Sequence, residues 1–484
     1  MKKFRRIAAV LMAALMASAA ATGCSSETTS SGASSSGESS SSSEAGSSSD
    51  GGEASESGEE YDVYFYAWTN PDNVVELVDA FNAEYEGKYN LIYQKLNDAA
   101  TMTINTALAS GEQIDVMTQA SAIDVRTRAD SGTYLGLKQF LDADGYDYTE
   151  LFGESVEQVY NFDGDYYAVP YCNNINVVWY NKNMFDEAGV EYPADDWTWD
   201  DFREIAKQMT SGEGANKIYG AMMDYGGPSE GGGGDQYWQL IAQQKLGSFT
   251  YYNDDFTATQ FDAPEYKESL QFFYDMAMVD QTLVPISEYT TLKYNSDTNG
   301  MIGLYNGKYA MWVAPVYGCL YLNDSYGEVP EGTNIAMANL PRPVGSTENI
   351  SITYSSQASI PANAPNPEAS WALLKFICIE HPELFAGPKA MHPGVLQTPE
   401  EAEAMNEIIF GNHPGLDAEQ AISIINQDRT LITKDNTHVE GQVKINDLIQ
   451  ADMALVFNGE MSVDEALADL KTKGDQYIQE DMAE

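Results

Sequence analysis

Tyr61-Asp62-Val63-Tyr64-Phe65-Tyr66-Ala67-Trp68-Thr69-Asn70-Pro71 is a run of strand formers that breaks at a polar turn before a proline. Val74, Leu77, Val78, Phe81 and Tyr85 then recur at helical spacing, so the segment reads strand, loop, helix. The same alternation continues. Asn90 to Lys95 is expected as a second strand, Thr101 to Ser110 as a helix stopped by Gly111, and Ile114 to Thr118 as a third strand. Strands separated by single helices imply an α/β fold with a parallel sheet and right-handed crossovers. Such sheets bind ligands in the crevice beyond their strands' carboxyl ends, where Trp68, Asn70 and Gln119 fall. Asp115 opens a strand and is read as structural.

Further on, Thr198-Trp199-Asp200-Asp201 has the spacing of a capping box ahead of an apolar face at Phe202, Ile205, Ala206 and Met209. Ser462 and Glu465 repeat that device near the C-terminus. The glycine-rich stretch from Gly226 to Gly234 lacks the Gly-Lys-Ser/Thr ending of a phosphate loop and reads as a surface loop, with Asp235 as N-cap of a helix that carries Trp238.

Upstream of Tyr61 the composition changes. From Ser25 to Glu60 the chain is about half serine, carries eight acids and has no Lys, Arg or aromatic residue. It has nothing apolar to set against its ordering entropy and is expected to be disordered, with a reach of roughly 35 Å. Before it stand Lys2, Lys3, Arg5 and Arg6, an apolar run from Ile7 to Ala21, and the small residues Thr22 and Gly23. That is the order of a secretory signal peptide, here residues 1–23. Cys24, set directly after the small residues, resembles the lipobox cysteine of bacterial lipoproteins. The resemblance implies a lipid on Cys24, a leash over 24–60, and a place on the outer face of the cell membrane of a Gram-positive-type bacterium, held by lipid alone.

The roughly 420 residues after the leash exceed what one core usually organises, so two lobes are expected. With 74 acids against 25 Lys and Arg, the formal charge of −49 disfavours nucleic acid and anionic lipid as partners. Besides Cys24 there are Cys172, Cys319 and Cys378, which allow one disulfide at most and need none. His381, His392, His413 and His438 form no H-E-x-x-H pattern, and neither G-x-S-x-G nor C-x-x-C occurs. No metal, no cofactor and no catalytic residue is expected.

Several segments, in order, resemble the family 1 extracellular solute-binding proteins of bacterial ABC importers, especially their sugar-binding lipoproteins. They are Leu108-Ala109-Ser110-Gly111 with Ile114-Asp115-Val116, Asp163-Gly164-Asp165-Tyr166-Tyr167-Ala168-Val169-Pro170, and Val178-Trp179-Tyr180-Asn181-Lys182-Asn183-Met184-Phe185. Trp197-Thr198-Trp199-Asp200-Asp201-Phe202, Asn306-Gly307-Lys308-Tyr309-Ala310-Met311 and Asn366-Pro367-Glu368-Ala369-Ser370-Trp371 continue the series. The resemblance implies a two-lobe periplasmic-binding-protein-like fold of type II with a ligand cleft between the lobes. By analogy lobe one is 61–172 with 336–378, and lobe two is 173–335 with 379–484. It also implies a non-enzymatic monomer that captures a carbohydrate, a disaccharide or oligosaccharide, and delivers it to permease subunits.

A sugar cleft needs aromatic platforms beside amides and acids. The candidates are Trp68, Asn70, Gln119, Tyr171, Asn173, Asn174, Trp238, Tyr317, Tyr354 and Gln357, the last two in a polar stretch read as irregular. Core packing explains Trp238 nearly as well, and Trp312 is read as core. A polyamine or peptide binder on the same fold, and an extracellular carbohydrate-active enzyme, stay open as other readings.

The lipid expectation is directly testable. Membrane-derived protein should carry a diacylglyceryl Cys24, and Cys24→Ser should be released or left unprocessed. An unmodified Cys24 by mass spectrometry excludes the anchor.

Overall fold

β1 (Tyr61–Ala67), β2 (Tyr89–Lys95) and β3 (Val116–Gln119) pair in parallel in the order β2-β1-β3. The intervening helix Val75–Glu84 turns Leu77 and Phe81 into the core, and the helix Ala100–Ser110 ends at Gly111, whose φ of 75° suits glycine. β3 starts two residues later than the sequence suggested, because the Asp115 carboxylate accepts hydrogen bonds from the Tyr61 hydroxyl, the Tyr64 N–H and the Gln113 amide. The acid ties the strand's entry to β1, the structural role expected of it. In this computed structural model residues 60–69, 71–96, 100–119, 122–225, 236–294, 296–433 and 441–483 are described; the leader, Cys24, the leash as far as residue 59, Asn70 and the glycine-rich stretch with Asp235 lie outside the described residues.

After a two-stranded hairpin of β4 (Asn161–Phe162) and β5 (Asp165–Tyr166) comes β6, a strand of 13 residues from Val169 to Asn181. The remaining strands are β7 (Tyr219–Met222), β8 (Tyr309–Pro315), β9 (Ile335–Ala338), β10 (Ile350–Ser359), β11 (His392–Pro393) and β12 (Thr430–Thr433). The main sheet runs β2-β1-β3-β10-β6-β8-β7, with β9 and β11 also on β6 and β12 on β10.

β6 belongs to two environments. Its first half lies antiparallel to β10, from Val169↔Ala358 to Ile175↔Thr353, and its second half pairs with β8 and β9. Correspondingly there are two hydrophobic cores. One holds β1 to β3, the start of β6 through Cys172, and Ala358 to Ala386; the other holds Val177 to Leu340, Ile352, and Ala390 to Ile478. Residues 336–340 thus pack in the second core, on β6. The segment from Tyr354 to Gln357, expected to be irregular, is strand. Its polar side chains obscure the strand pattern, but they are buried between β3 and β6 and bonded, Ser355 to Asn173, Gln357 to Tyr160 and Tyr354 to Tyr317.

Both capping boxes form as expected, at Thr198 with Asp201 and at Ser462 with Glu465. In β7, Gly220 lets the sheet press on the helix Trp199–Met209: an added Cβ would stand 1.9 Å from the Ala206 carbonyl oxygen. Cys172, Cys319 and Cys378 are free and buried. Among the described residues no helix is long and apolar enough to cross a membrane.

Trp179 anchors the second half of β6. Fully buried, it sits opposite Trp312 and Met337, and its indole N–H donates to the Pro315 carbonyl at 2.9 Å. Trp179→Ala should lower unfolding free energy by about 3–5 kcal/mol, with Trp179→Phe losing less. Urea titration of both variants measures this, and equal small losses would show that the site collapses around the gap.

Candidate functional site

The parallel strands of both cores aim their carboxyl ends at one seam. In the first core β3 ends at Gln119, opposite Gln357 near the end of β10. The β1–β3 register, Phe65↔Val116 and Tyr66↔Met117, sets Trp68 level with Gln119 two residues further on. In the second core β8 ends at Pro315, opposite Asn176 in the middle of β6, and parallel β7 ends alongside Trp312. Tyr317 and Asp224 follow those ends by two residues. Between the two sets run β6 and β10, with Asn173 to Ile175 paired to Ser355 to Thr353. This is the crevice that parallel-sheet topology offers to ligands.

On the second-core side the hydroxyls form a directed chain. Tyr354 donates to the Tyr317 hydroxyl at 3.3 Å, and Tyr317 donates to Asp297 Oδ2 at 3.0 Å. Tyr289 donates to Asp224 Oδ1, and Tyr237 donates to Asn176 Oδ1 at 3.4 Å. Burial pushes the Asp297 carboxyl up to about 6 against the bond from Tyr317. The same desolvation, reinforced by the two carboxylates, drives the hydroxyls of Tyr237 and Tyr289 well above their ordinary value. Tyr317 and Asp297 stay partly accessible while Tyr237, Tyr289 and Asn176 are buried.

At the seam Ser355 donates to Asn173 Oδ1 at 2.6 Å, and Asn173 donates to the Gly394 carbonyl at 3.2 Å. Asn174 is buried, its amide 3.8 Å from the Cys172 sulfur. Gln357 is buried and donates to the Tyr160 hydroxyl, while its Oε1 lacks a partner, as does Thr69 Oγ1 beside Trp68. Buried polar atoms are seldom left so. On the first-core side Gln119 donates to Ser359 Oγ at 2.6 Å and accepts from Arg128 and Tyr134. Trp68 is half-buried against the first core.

Two candidates do not belong to this surface. Trp238 is fully enclosed, its ring tilted against Tyr266 and its N–H on Gln236, so it has no face to offer. Tyr171 lies inside the first core, its hydroxyl accepting from Lys389 at 2.9 Å. Trp312 is core, as read. Asn70 lies outside the described residues. Asn176, Asp224, Tyr237, Tyr289 and Asp297 also stand at these strand ends, and the sequence did not single them out. Asn176 could have been found, since it continues the alternation from Asn174 on β6. Among the described residues no three His, Cys, Asp or Glu side chains converge to hold a metal.

The profile of a family described as bacterial extracellular solute-binding protein matches residues 67–377. An arabinooligosaccharide-binding protein of Halalkalibacterium halodurans is 30% identical over 132 residues, 27% of this chain and 26% of that one. A mannitol-binding protein of Pseudomonas aeruginosa is 26% identical over 226 residues, 45% of this chain and 46% of that one. The matched stretches thus span about a quarter to under half of the curated relatives' length, 26% to 46%. Among solved structures, an ABC substrate-binding protein of Listeria monocytogenes in complex with cycloalternan superposes with a TM-score of 0.67 at 19% identity, covering 86% of this chain and 99% of that one. That likeness shows the fold, two α/β lobes of the periplasmic-binding-protein type.

The raised pKa of Asp297 has a stability consequence. Between pH 4 and 6 the folded state binds its proton more tightly than the unfolded chain, whose carboxyl titrates near 3.8, so stability from this group is full below pH 4 and lost as pH rises through 6. Asp297→Asn cannot ionise and should gain stability relative to the parent from pH 4.5 to pH 7.5. Denaturation curves at both pH values check this; a difference that does not change with pH excludes it.

Proposed function

We propose, from the premise that this chain belongs to the bacterial extracellular solute-binding protein family, that it captures a carbohydrate outside the cell and delivers it to the permease of an ABC importer. The observation that carries the reading is the convergence of both lobes' strand ends on one seam lined by Trp68, Tyr317, Tyr354 and a set of amides and carboxylates. Flat rings suit the C–H faces of a pyranose or furanose, and the amides and acids suit its hydroxyl edges. The arabinooligosaccharide-binding relative and the cycloalternan complex favour an oligosaccharide.

Lobe one is drawn around the first core, with the chain returning to it along β10 between Ile352 and Ala358 and leaving it between Ala386 and Ala390. Ligand contacts to both lobes at once favour the closed state, and a closed form docks on the permease. A lipid on Cys24 and the serine-rich leash hold the monomeric body near that membrane. The protein binds without chemistry. A second reading has one observation behind it: two carboxylates among tyrosines also suit an ammonium group, which makes a polyamine the alternative ligand.

Thermal shift against a panel of neutral oligosaccharides, monosaccharides, polyols, putrescine and spermidine separates these readings. A ligand at 100 times its Kd should add about 2.7 kcal/mol to stability. With the best ligand, Trp68→Ala and Tyr317→Ala should each weaken binding by about thirtyfold or more in calorimetry, with unligated stability as control. Chromatography after long incubation should return the ligand intact. Wild-type affinity in both variants would remove these rings from the site, and stabilisation by polyamines alone would replace the sugar reading.

A further inference from the structure

We infer that the site selects saccharides by charge, admitting uncharged and amino sugars and rejecting uronates and other anionic glycans; the inference rests on the carbohydrate reading above. The reason lies in the direction of the hydrogen bonds. Tyr354 gives its proton to Tyr317, Tyr317 gives its own to Asp297, Tyr289 gives its proton to Asp224, and Tyr237 gives its to Asn176. With these protons donated to carboxylates, an amide oxygen and a neighbouring hydroxyl, the partly accessible groups of this wall, Tyr317, Asp224 and Asp297, present acceptors. A hydroxyl or ammonium on the ligand can donate to it. A ligand carboxylate would need donors and would meet Asp224 and Asp297 instead.

The charges that weigh most on Asp297, Tyr289 and Tyr317 are carboxylates and other tyrosines, with no lysine, arginine or histidine among them. Across the seam Arg128 stands beside Gln119, and it is already engaged. Its guanidinium donates to Gln119 Oε1 at 3.2 Å, to the Tyr134 hydroxyl at 3.1 Å and to Asn105 Oδ1 at 3.2 Å, and it is buried beside Asp124. The field of the whole chain, with its formal charge of −49, acts in the same sense on any approaching anion. Like-charge contacts of this kind exclude wrong partners more effectively than added attraction selects right ones.

The test is a glycan array probed with the full chain. It presents neutral arabino-, xylo-, gluco- and galacto-oligosaccharides, each beside a uronate-bearing or sulfated counterpart and, where one exists, an amino-sugar counterpart. Binding should fall on neutral or amino members, with the anionic counterpart at least about tenfold weaker by calorimetry. An anionic member bound as tightly as its neutral counterpart would overturn the inference while leaving the carbohydrate reading intact. No glycan of any charge bound, with a polyamine or peptide bound instead, would overturn the carbohydrate reading itself. Asp297→Asn and Tyr317→Phe, each checked for folding by urea titration, should narrow the neutral-to-anionic ratio at least threefold. An unchanged ratio in both folded variants would also overturn the proposal.

Discussion

The antiparallel ladder between β6 and β10 is the constraint on which the rest of this fold depends. Two strands leave one core and enter the other side by side, and at their paired centre Asn173 and Asn174 face Ser355 and Tyr354, which belong to neither hydrophobic core. A buried strand this polar is stable only if its side chains are bonded. Ser351 donates to the Asn176 carbonyl, Ser355 to Asn173 and Ser359 to the Tyr167 carbonyl, so the polar groups hold the register instead of opposing it. A slip of one residue would exchange the faces of Val177 to Tyr180 in the second core and break every one of those bonds. The irregularity between Ser356 and Gln357 absorbs the twist where β3 joins from the other side.

From that ladder the site follows by geometry. β3 and β8 end against this ladder from opposite cores, β3 at Gln119 opposite Gln357 and β8 at Pro315 opposite Asn176, with Tyr317 two residues beyond. The desolvation that makes the tyrosine hydroxyls reluctant to ionise and raises Asp297 arises from the same enclosure, and it strengthens every hydrogen bond made there. What the tyrosines contribute is therefore double: rings that pack, and hydroxyls whose protons are aimed by fixed carboxylates.

Much of this was legible in the sequence, for physical reasons. β1, its helix and β2 stand where strand propensity and helical periodicity put them, because each buries one face against the other. The capping boxes at Thr198 and Ser462 are local, satisfied within four residues, and local chemistry is what a sequence reveals best. β10 was not legible as a strand, since Ser355, Ser356 and Gln357 are tolerated in a buried strand only through partners on β6, β3 and the helix ending at Tyr160. The burial of Trp238 and Tyr171 in the cores was not legible for the converse reason: a chain with 31 Tyr and 7 Trp must use many of them as core, and spacing alone does not tell a ring facing a helix from one facing a ligand. Asp224 and Asp297 were hidden among 74 acids. Their distinction is that tyrosines far away in sequence converge on them.

The polar centre of the ladder also bears on how such a molecule moves. Apolar strands packed on both faces would weld the two cores together, because any relative rotation would open voids in a close-packed interior. A centre whose side chains bond along the ladder, to Gly394 beside β11 as well as between β6 and β10, can bend while those bonds persist. Three chain crossings, at β6, β10 and the segment before β11, restrict the motion to rotation about the seam and disfavour sliding across it. The loops that meet there are consequently those whose separation changes most on closure. On the proposed carbohydrate reading, a ligand held between Trp68 and Tyr317 would gain contacts in the closed state that the open state withholds, the differential affinity by which binding would report itself to a partner.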